Sequence, residues 1–312
     1  MTKRKIYSLC FLFLIFGIII GVTSIVIAES INSNEVLYDN SSSGTNLNNV
    51  QDVLDDVYNI IEHNSTGFSL LARTPNKLSP NLIAGLYRYQ GVQDSVNDVN
   101  NYICFGTSNK SDCLNNIELF MYRIIGIDSN GRIKLIKRNP LNIEYQWNST
   151  TNVLWPASDM YRGLNDEYFL NNTTYIPNEN WKNRIINVDW HYATIGDSSV
   201  STVTQNELSG PIVNAKIGLL YLHDYFNSLV NPSYSNTSWL NINNVGIANL
   251  YGDWSITRVN TNKVWILHCG GIADSWGGSI DSGRPTRPVF FIGATERIAS
   301  GSGTITDPYI LS

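Results

Sequence analysis

The sequence predicts an α+β domain over residues 81–312, built on a small antiparallel sheet with short helices and long loops. An N-terminal hydrophobic helix and a short stalk helix precede it. Three features carry that reading. Runs of β-branched and aromatic residues sit near both ends of the 81–312 span, where strands of one sheet would meet. The interval 140–260 is dense in Trp, Asn and Tyr and holds only short helical patterns. An uncharged apolar run, 6–28, follows Lys3, Arg4 and Lys5.

A basic flank before an apolar run of about 20 residues is what the secretion machinery engages, and it is long enough to span a bilayer as one helix. Two outcomes stay open: cleavage after Ala28 as a signal peptide, or retention of 6–28 as a membrane anchor. In both, the bulk of the chain lies outside and the basic flank inside, so the expected location is extracellular or the cell surface. Cys10 is not in a lipidation motif, because Tyr7-Ser8-Leu9 lacks the small residues needed before it.

Residues 29–80 read as linker and stalk. The stretch 29–46 is polar and rich in Asn and Ser. Val50, Val53, Leu54, Val57, Ile60 and Ile61 then recur at helical spacing, with Asp52, Asp55 and Asp56 on the other face. A helix this short is unstable alone in water. It must pack on the main domain or on copies of itself, for instance as a homotrimer.

Only 15% of residues are charged, and the net charge is -5. That balance argues against nucleic acid as a partner. A surface poor in Lys and rich in Asn and Tyr suits extracellular recognition.

Cysteine usage agrees with export. Cys104 and Cys113 bracket FGTSNKSD, whose Gly106, Asn109 and Asp112 favour chain reversal. Outside the cell the pair reads as a disulfide clipping a hairpin; two buried free thiols are the alternative. Cys269 is left over, as a core thiol in a strand-like run. His268 and Cys269 would point to opposite faces of that strand, and no CxxC or HExxH completes a metal site.

The first strands are 102–105, 119–127 and 132–137. Asp128-Ser129-Asn130-Gly131 between the last two predicts a hairpin. Alternation of Arg132 and Lys134 with Ile133 and Leu135 predicts that the charged pair points away from the core. Ser158 caps a short helix over 158–165 that continues toward Phe169 and Leu170, and Ile217, Leu220, Tyr221 and Tyr225 suggest another over 215–229. The run 289–292 and the closing segment 307–311, around the turn Gly301-Ser302-Gly303-Thr304, tie the C-terminus into the sheet.

Several stretches together resemble a known group. They are NNYICFG with DCLNN, MYRIIGID with GRIKLIK, SDMYRGLNDEYF, IGLLYLHDY, DWSITR, and RPVFF with GSGTITDPYIL. They resemble an uncharacterised surface-protein family of low-GC Gram-positive bacteria, over about 100–312. That family looks like the C-type-lectin-like fold, with similarity near Trp276-Gly277-Gly278-Ser279 to its formylglycine-generating-enzyme branch. The segment 35–61 is similar to a stalk element of bacterial surface proteins and phage fibres. The resemblance implies strands at 254–258, 265–267 and 289–291, and a long central loop region that carries the binding site.

The leading functional expectation is an adhesin-like binding module for a glycan or protein ligand on another surface, with no catalysis and no cofactor. Aromatic faces beside amides and carboxylates are what such a site needs. The candidates are Trp147, Asn148, Trp155, Trp239, Asn241, Trp276 and Asp281, with at least two of the six tryptophans of the middle region exposed. Trp181 and Trp254 are assigned to the core. A calcium site would need clustered oxygens, faintly suggested by Asn165-Asp166-Glu167 and Pro177-Asn178-Glu179-Asn180, but the usual sugar-binding triplet of calcium lectins is absent. The alternatives are a structural appendage or fibre tip, and a secreted hydrolase. For a hydrolase, Asp189, Asp197, Asp224 and Asp253 offer carboxylates that nothing in the sequence pairs.

Overall fold

The computed structural model describes residues 78–79, 82–91, 99–196, 199–233, 238–241, 252–267 and 273–312, without the side chains of 273–277. The chain divides between Ile61 and Glu62, and all described residues belong to the second unit. The run 6–28, the stalk helix 50–61, Cys10, Asp197, His268 and Cys269 lie outside the described residues. Within them the architecture mixes α and β, is mostly sheet, and has a curled main sheet. Among the described residues no helix is long and apolar enough to cross a membrane.

The chain begins with β1 (Leu86–Arg88), β2 (Tyr102–Cys104), α1 (Lys110–Asn115), α2 (Ile117–Phe120), β3 (Met121–Asp128) and β4 (Ile133–Lys137). It continues with β5 (Tyr145–Gln146), α3 (Asp159–Leu164), α4 (Glu179–Arg184), β6 (Ile185–Ile186) and β7 (Val188–His191). Next come α5 (Val200–Leu208), β8 (Ile212–Ala215), β9 (Ile217–Gly218) and α6 (Leu222–Asn227). The last strands are β10 (Asp253–Arg258), β11 (Lys263–Leu267), β12 (Ala273–Ser279), β13 (Gly283–Arg284), β14 (Val289–Ile292), β15 (Ile298–Ser300) and β16 (Tyr309–Leu311).

The main sheet runs β15-β16-β2-β3-β4-β14-β6, with β1 added on β3 and β9 on β14. The β3–β4 hairpin turns where Asn130-Gly131 signals it, with Gly131 at φ +76°. The Asp128 carboxylate accepts from the Asn130 and Arg132 backbones, both at 2.9 Å. β14 pairs along the whole of 289–292 with Ile133–Ile136. The closing strand β16 lies parallel to β2, so the C-terminus is tied into the sheet as expected.

Three expectations change. Lys134 does not face solvent: it is 2% exposed, because both faces of the sheet are covered. Arg132 stays at the surface in an ion pair with Asp128 at 2.5 Å. The helix expected over 215–229 forms only as α6, after β8 and β9. Ile217 and Gly218 are claimed by β14 instead, and a Cβ on Gly218 would meet the Trp190 ring at 2.5 Å. Tertiary pairing here overrides a helical period. The interval 188–215 is a β7–β8 hairpin carrying α5 rather than one long loop.

Cys104 and Cys113 form a disulfide, with Cα atoms 6.0 Å apart. It joins strand β2 to helix α1 rather than clipping a hairpin. Asn109 nucleates that helix by accepting from the Ser111 and Asp112 backbones at 2.8 and 3.2 Å.

The core mixes aromatics with charge. Phe105 meets Tyr122, Trp181 and Phe290 at ring distances of 4.9–5.7 Å. Beside this layer, Asp224 of α6 takes Arg88 of β1 on one carboxylate oxygen and Lys134 of β4 on the other, both at 2.6 Å. Glu207 of α5 accepts from the Leu222 and His223 backbones and from His223 Nδ1 at 2.7 Å. Burial pushes the Asp224 carboxyl up, but Lys134 and Arg88 overrule it and hold it well below the carboxylate range.

Candidate functional site

Three of the four tryptophans expected to form a binding platform are core residues. Trp147, Trp155 and Trp239 are 0%, 1% and 4% exposed. Trp181, Trp190 and Trp254 are buried as well, so none of the six in the middle region is a platform. A ring of that size removes more apolar surface from water inside than any other side chain, and its one N–H needs only one acceptor. Trp147 Nε1 donates to Ser255 O at 3.3 Å, Trp254 Nε1 to Tyr145 O at 2.8 Å, and Trp239 Nε1 to Tyr89 O at 3.0 Å.

The expected amides are staples beneath the loops. Asn148 is buried; its Oδ1 accepts from Asp159 N at 2.8 Å and its Nδ2 donates to Thr150 O at 2.8 Å. Asn241 Oδ1 accepts from Ser238 N at 2.7 Å and Tyr225 Oη at 3.0 Å. Of the remaining two, Asp281 is exposed, and the side chain of Trp276 is outside the described residues.

Trp147, Asn148 and Trp155 do come together, with the two indoles 5.8 Å apart. Asn148 N donates to Ile280 O at 2.9 Å, which brings the Asp281 turn alongside. Trp239 and Asn241 belong to a separate cluster, where Arg123 lies 4.4 Å over the Trp239 ring and Arg287 donates to Leu240 O at 2.7 Å.

Above the Trp147 group lies a surface the sequence reading did not single out. β5 pairs with β13 and carries Tyr145; helix α3 carries Tyr161; the turn after it carries Tyr168. All three rings are half-buried. Tyr145 and Tyr168 stack with centroids 4.0 Å apart and planes at 22°. The face of Tyr168 lies on Gly163, where a Cβ would meet ring atoms Cδ2 and Cε2 at 2.0 Å and Cγ at 2.6 Å. Gly163, Tyr168 and Tyr145 therefore form three layers, with Tyr145 outermost. Ser158 fixes α3 by accepting from Tyr161 N at 3.1 Å. Tyr161 meets the buried Trp155 edge-on at 5.7 Å.

The rim is acidic and polar. Glu167 and Asp166 are exposed between α3 and Tyr168. Asp159 accepts from Ser149 N at 2.8 Å and pairs with Arg162. Hydrogen bonds from Ser149, and then from Arg162, hold its carboxyl below the ordinary range. Burial raises both phenols, and the Glu167 charge raises them further. Asn142, Ile143, Glu144 and Gln146, which flank Tyr145 in the chain, are exposed, as are Thr150 and Leu154 after β5. The signal for this surface was residue type: a phenol with its hydroxyl in water suits a half-buried position better than an indole.

The carboxylates weighed for hydrolysis have other tasks. Asp224 and Asp253 sit in buried ion pairs, Asp253 with Arg287 at 2.7 Å, and exposed Asp189 accepts from Asn214 Nδ2 at 2.8 Å. Asn178 caps α4 through Trp181 N, and Asn165 Oδ1 accepts from Ile217 N at 3.0 Å, so both amides faintly suggestive of calcium serve the backbone. Among the described residues no group of three His, Cys, Asp or Glu is placed to hold a metal ion.

No family model matches the sequence, and no curated protein or solved structure matches it.

Proposed function

We propose that this chain is an exported surface protein that binds a glycan or protein ligand through the Tyr145–Tyr161–Tyr168 face, without catalysis. The observation that carries the proposal is the layered Tyr145–Tyr168 stack. It is a half-exposed aromatic pair held at 4.0 Å on a helix glycine and a two-stranded ladder, beside exposed amides and carboxylates. Rigid aromatic area next to adaptable polar groups is the composition of a recognition surface.

Export is supported by the basic flank and apolar run at the N-terminus and by the Cys104–Cys113 disulfide, a bond that persists in oxidising compartments. The C-type-lectin-like assignment belongs to the same proposal. It is supported by the pairing of the last strand, β16, with β2 near the start of the domain. Trimerisation through 50–61 is proposed on the helical spacing of its apolar residues.

The test is capture of the full-length protein on arrays of glycans and of extracellular proteins. Tyr145→Ala is expected to lose the captured signal while melting close to the parent. Capture that survives both Tyr145→Ala and Tyr168→Ala moves the binding face elsewhere.

A further inference from the structure

We propose that the Tyr145–Tyr168 stack and Glu167 together seat a basic side chain, lysine or arginine, from an exposed segment of a partner protein. The inference rests on the reading of this face as the binding face and adds the chemistry of its occupant.

The ring supplies one half of the seat. Tyr168 is enclosed between Gly163 and Tyr145, so the stack presents the outer face of Tyr145, and a phenol face attracts cations through its quadrupole. The chain already uses this attraction inside: Lys134 lies 4.6 Å over Tyr221, and Arg123 lies 4.4 Å over Tyr102. Among the described residues no cation is seen over the ring of Tyr145 or Tyr168. The neighbouring Arg162 is committed to Asp159, and Arg284 lies over Trp254.

Glu167 supplies the other half. It is exposed, and among the described residues its carboxylate enters no ion pair. Burial is the main cause that raises both phenols; Glu167 adds to it at each, behind Tyr175 and Tyr168 at Tyr145, while at Tyr168 Asp159 adds and Arg162 opposes. Exposed Asp166 and Glu167 before Tyr168, and exposed Glu144 before Tyr145, set carboxylates beside the stack on a chain whose net charge is -5. An acidic ligand is repelled there. A neutral sugar gains the ring but nothing from the charge. A basic side chain gains both, laying its methylene stem along the ring and its charge by the carboxylate.

The experiment titrates the full-length protein into fluorescently labelled hexalysine and follows anisotropy. Wild type is expected to bind, and to lose most of the signal at about 0.5 M salt. Tyr145→Ala and Glu167→Gln are each expected to weaken binding roughly fivefold, while Tyr145→Phe, which keeps the ring, retains it. Asp189→Asn, which removes an exposed carboxylate on β7, is expected to change nothing. Equal weakening by all the charge variants, or none by any, means diffuse attraction to an acidic protein and overturns the inference. A second arm uses a tetramer of β-1,4-linked N-acetylglucosamine. If that sugar binds in a manner lost with Tyr145→Ala but indifferent to Glu167→Gln, the face stands and the basic partner falls. If Tyr145→Ala alters neither probe, both readings fall.

Discussion

The ring of Tyr168 rests face-on against Gly163, closer than any side chain at that position would allow. Gly163 sits inside α3 with no positive φ, so its lack of a side chain serves packing rather than backbone conformation. Gly163→Ala is expected to lift Tyr168 off the helix and to break its stack on Tyr145. Overpacking of this kind costs about 1–3 kcal/mol, partly offset by the better helix propensity of Ala. Urea denaturation would read the loss, and near-ultraviolet circular dichroism the displaced tyrosines. An unchanged tyrosine signal would count against the layered arrangement.

Asp224 is the single carboxylate between two buried cations. Asp224→Asn leaves Arg88 and Lys134 with uncompensated charge and is expected to cost about 3–5 kcal/mol. The native carboxyl is held below its unfolded value, so this contribution is present above the unfolded pKa and is lost as pH falls through the folded one. Acid titration of stability should therefore be shallower in Asp224→Asn than in the parent. Equal acid sensitivity would show that other carboxylates dominate.

Lys137 predicts a trend at the alkaline side. Its ammonium is fully buried, donates to Glu118 O and Leu119 O, and lies 5.4 Å from the Tyr122 ring and 5.2 Å from that of Tyr175. Burial pulls its pKa down to about 7 from 10.5. Between those values the unfolded chain holds a proton that the folded one has released, so stability rises with pH. The contribution is at most about 1.4 kcal/mol per pH unit. Lys137→Met should flatten the profile between pH 7 and 10 in guanidinium titrations. A slope unaffected by the substitution would rule Lys137 out as its source.

The disulfide closes a loop of sequence separation 9. Replacing Cys104 and Cys113 together by Ser is expected to cost about 2–3 kcal/mol. Mass spectrometry of unreduced peptides would find the two cysteines linked, and separate alkylation of each would contradict the bond.

Much of the frame was legible in the sequence because its signals are local. Asn130-Gly131 can make a tight reversal almost alone, and Ser158 can start a helix from its own side chain. The path of 289–292 was legible because four consecutive apolar residues bounded by Pro and Gly have few other uses. Lys134 was misread for the opposite reason. Strict alternation assumes a sheet with one wet face, and whether the second face is covered depends on α6, nearly ninety residues away. The half-helix at 215–218 failed similarly, since β14 claims Ile217 and Gly218 from far along the chain. For the candidate site, the expected platform fell on indoles that the fold encloses, Trp147, Trp155 and Trp239. Six indoles are too much apolar surface to leave in water when a sheet and three small ladders stand ready to enclose them, and the tyrosines took the boundary.

The three-way meeting of Arg88, Lys134 and Asp224 also bears on how this domain assembles. Those residues arrive on β1, β4 and α6, separated by long stretches of chain. Arg88 and Lys134 brought together without Asp224 would bury two like charges, so an intermediate that lacks docked α6 gains nothing by closing over them. The cluster thus rewards the docking of α6, which brings the one carboxylate that both cations need. Contacts between elements this distant in sequence are expected to form after the rate-limiting barrier, so weakening them should accelerate unfolding while leaving refolding rates nearly untouched. Stopped-flow kinetics of Asp224→Asn would separate the two limbs. On the proposal that the chain is exported to a surface, where refolding help is scarce, a core that releases slowly matters more than one that forms fast.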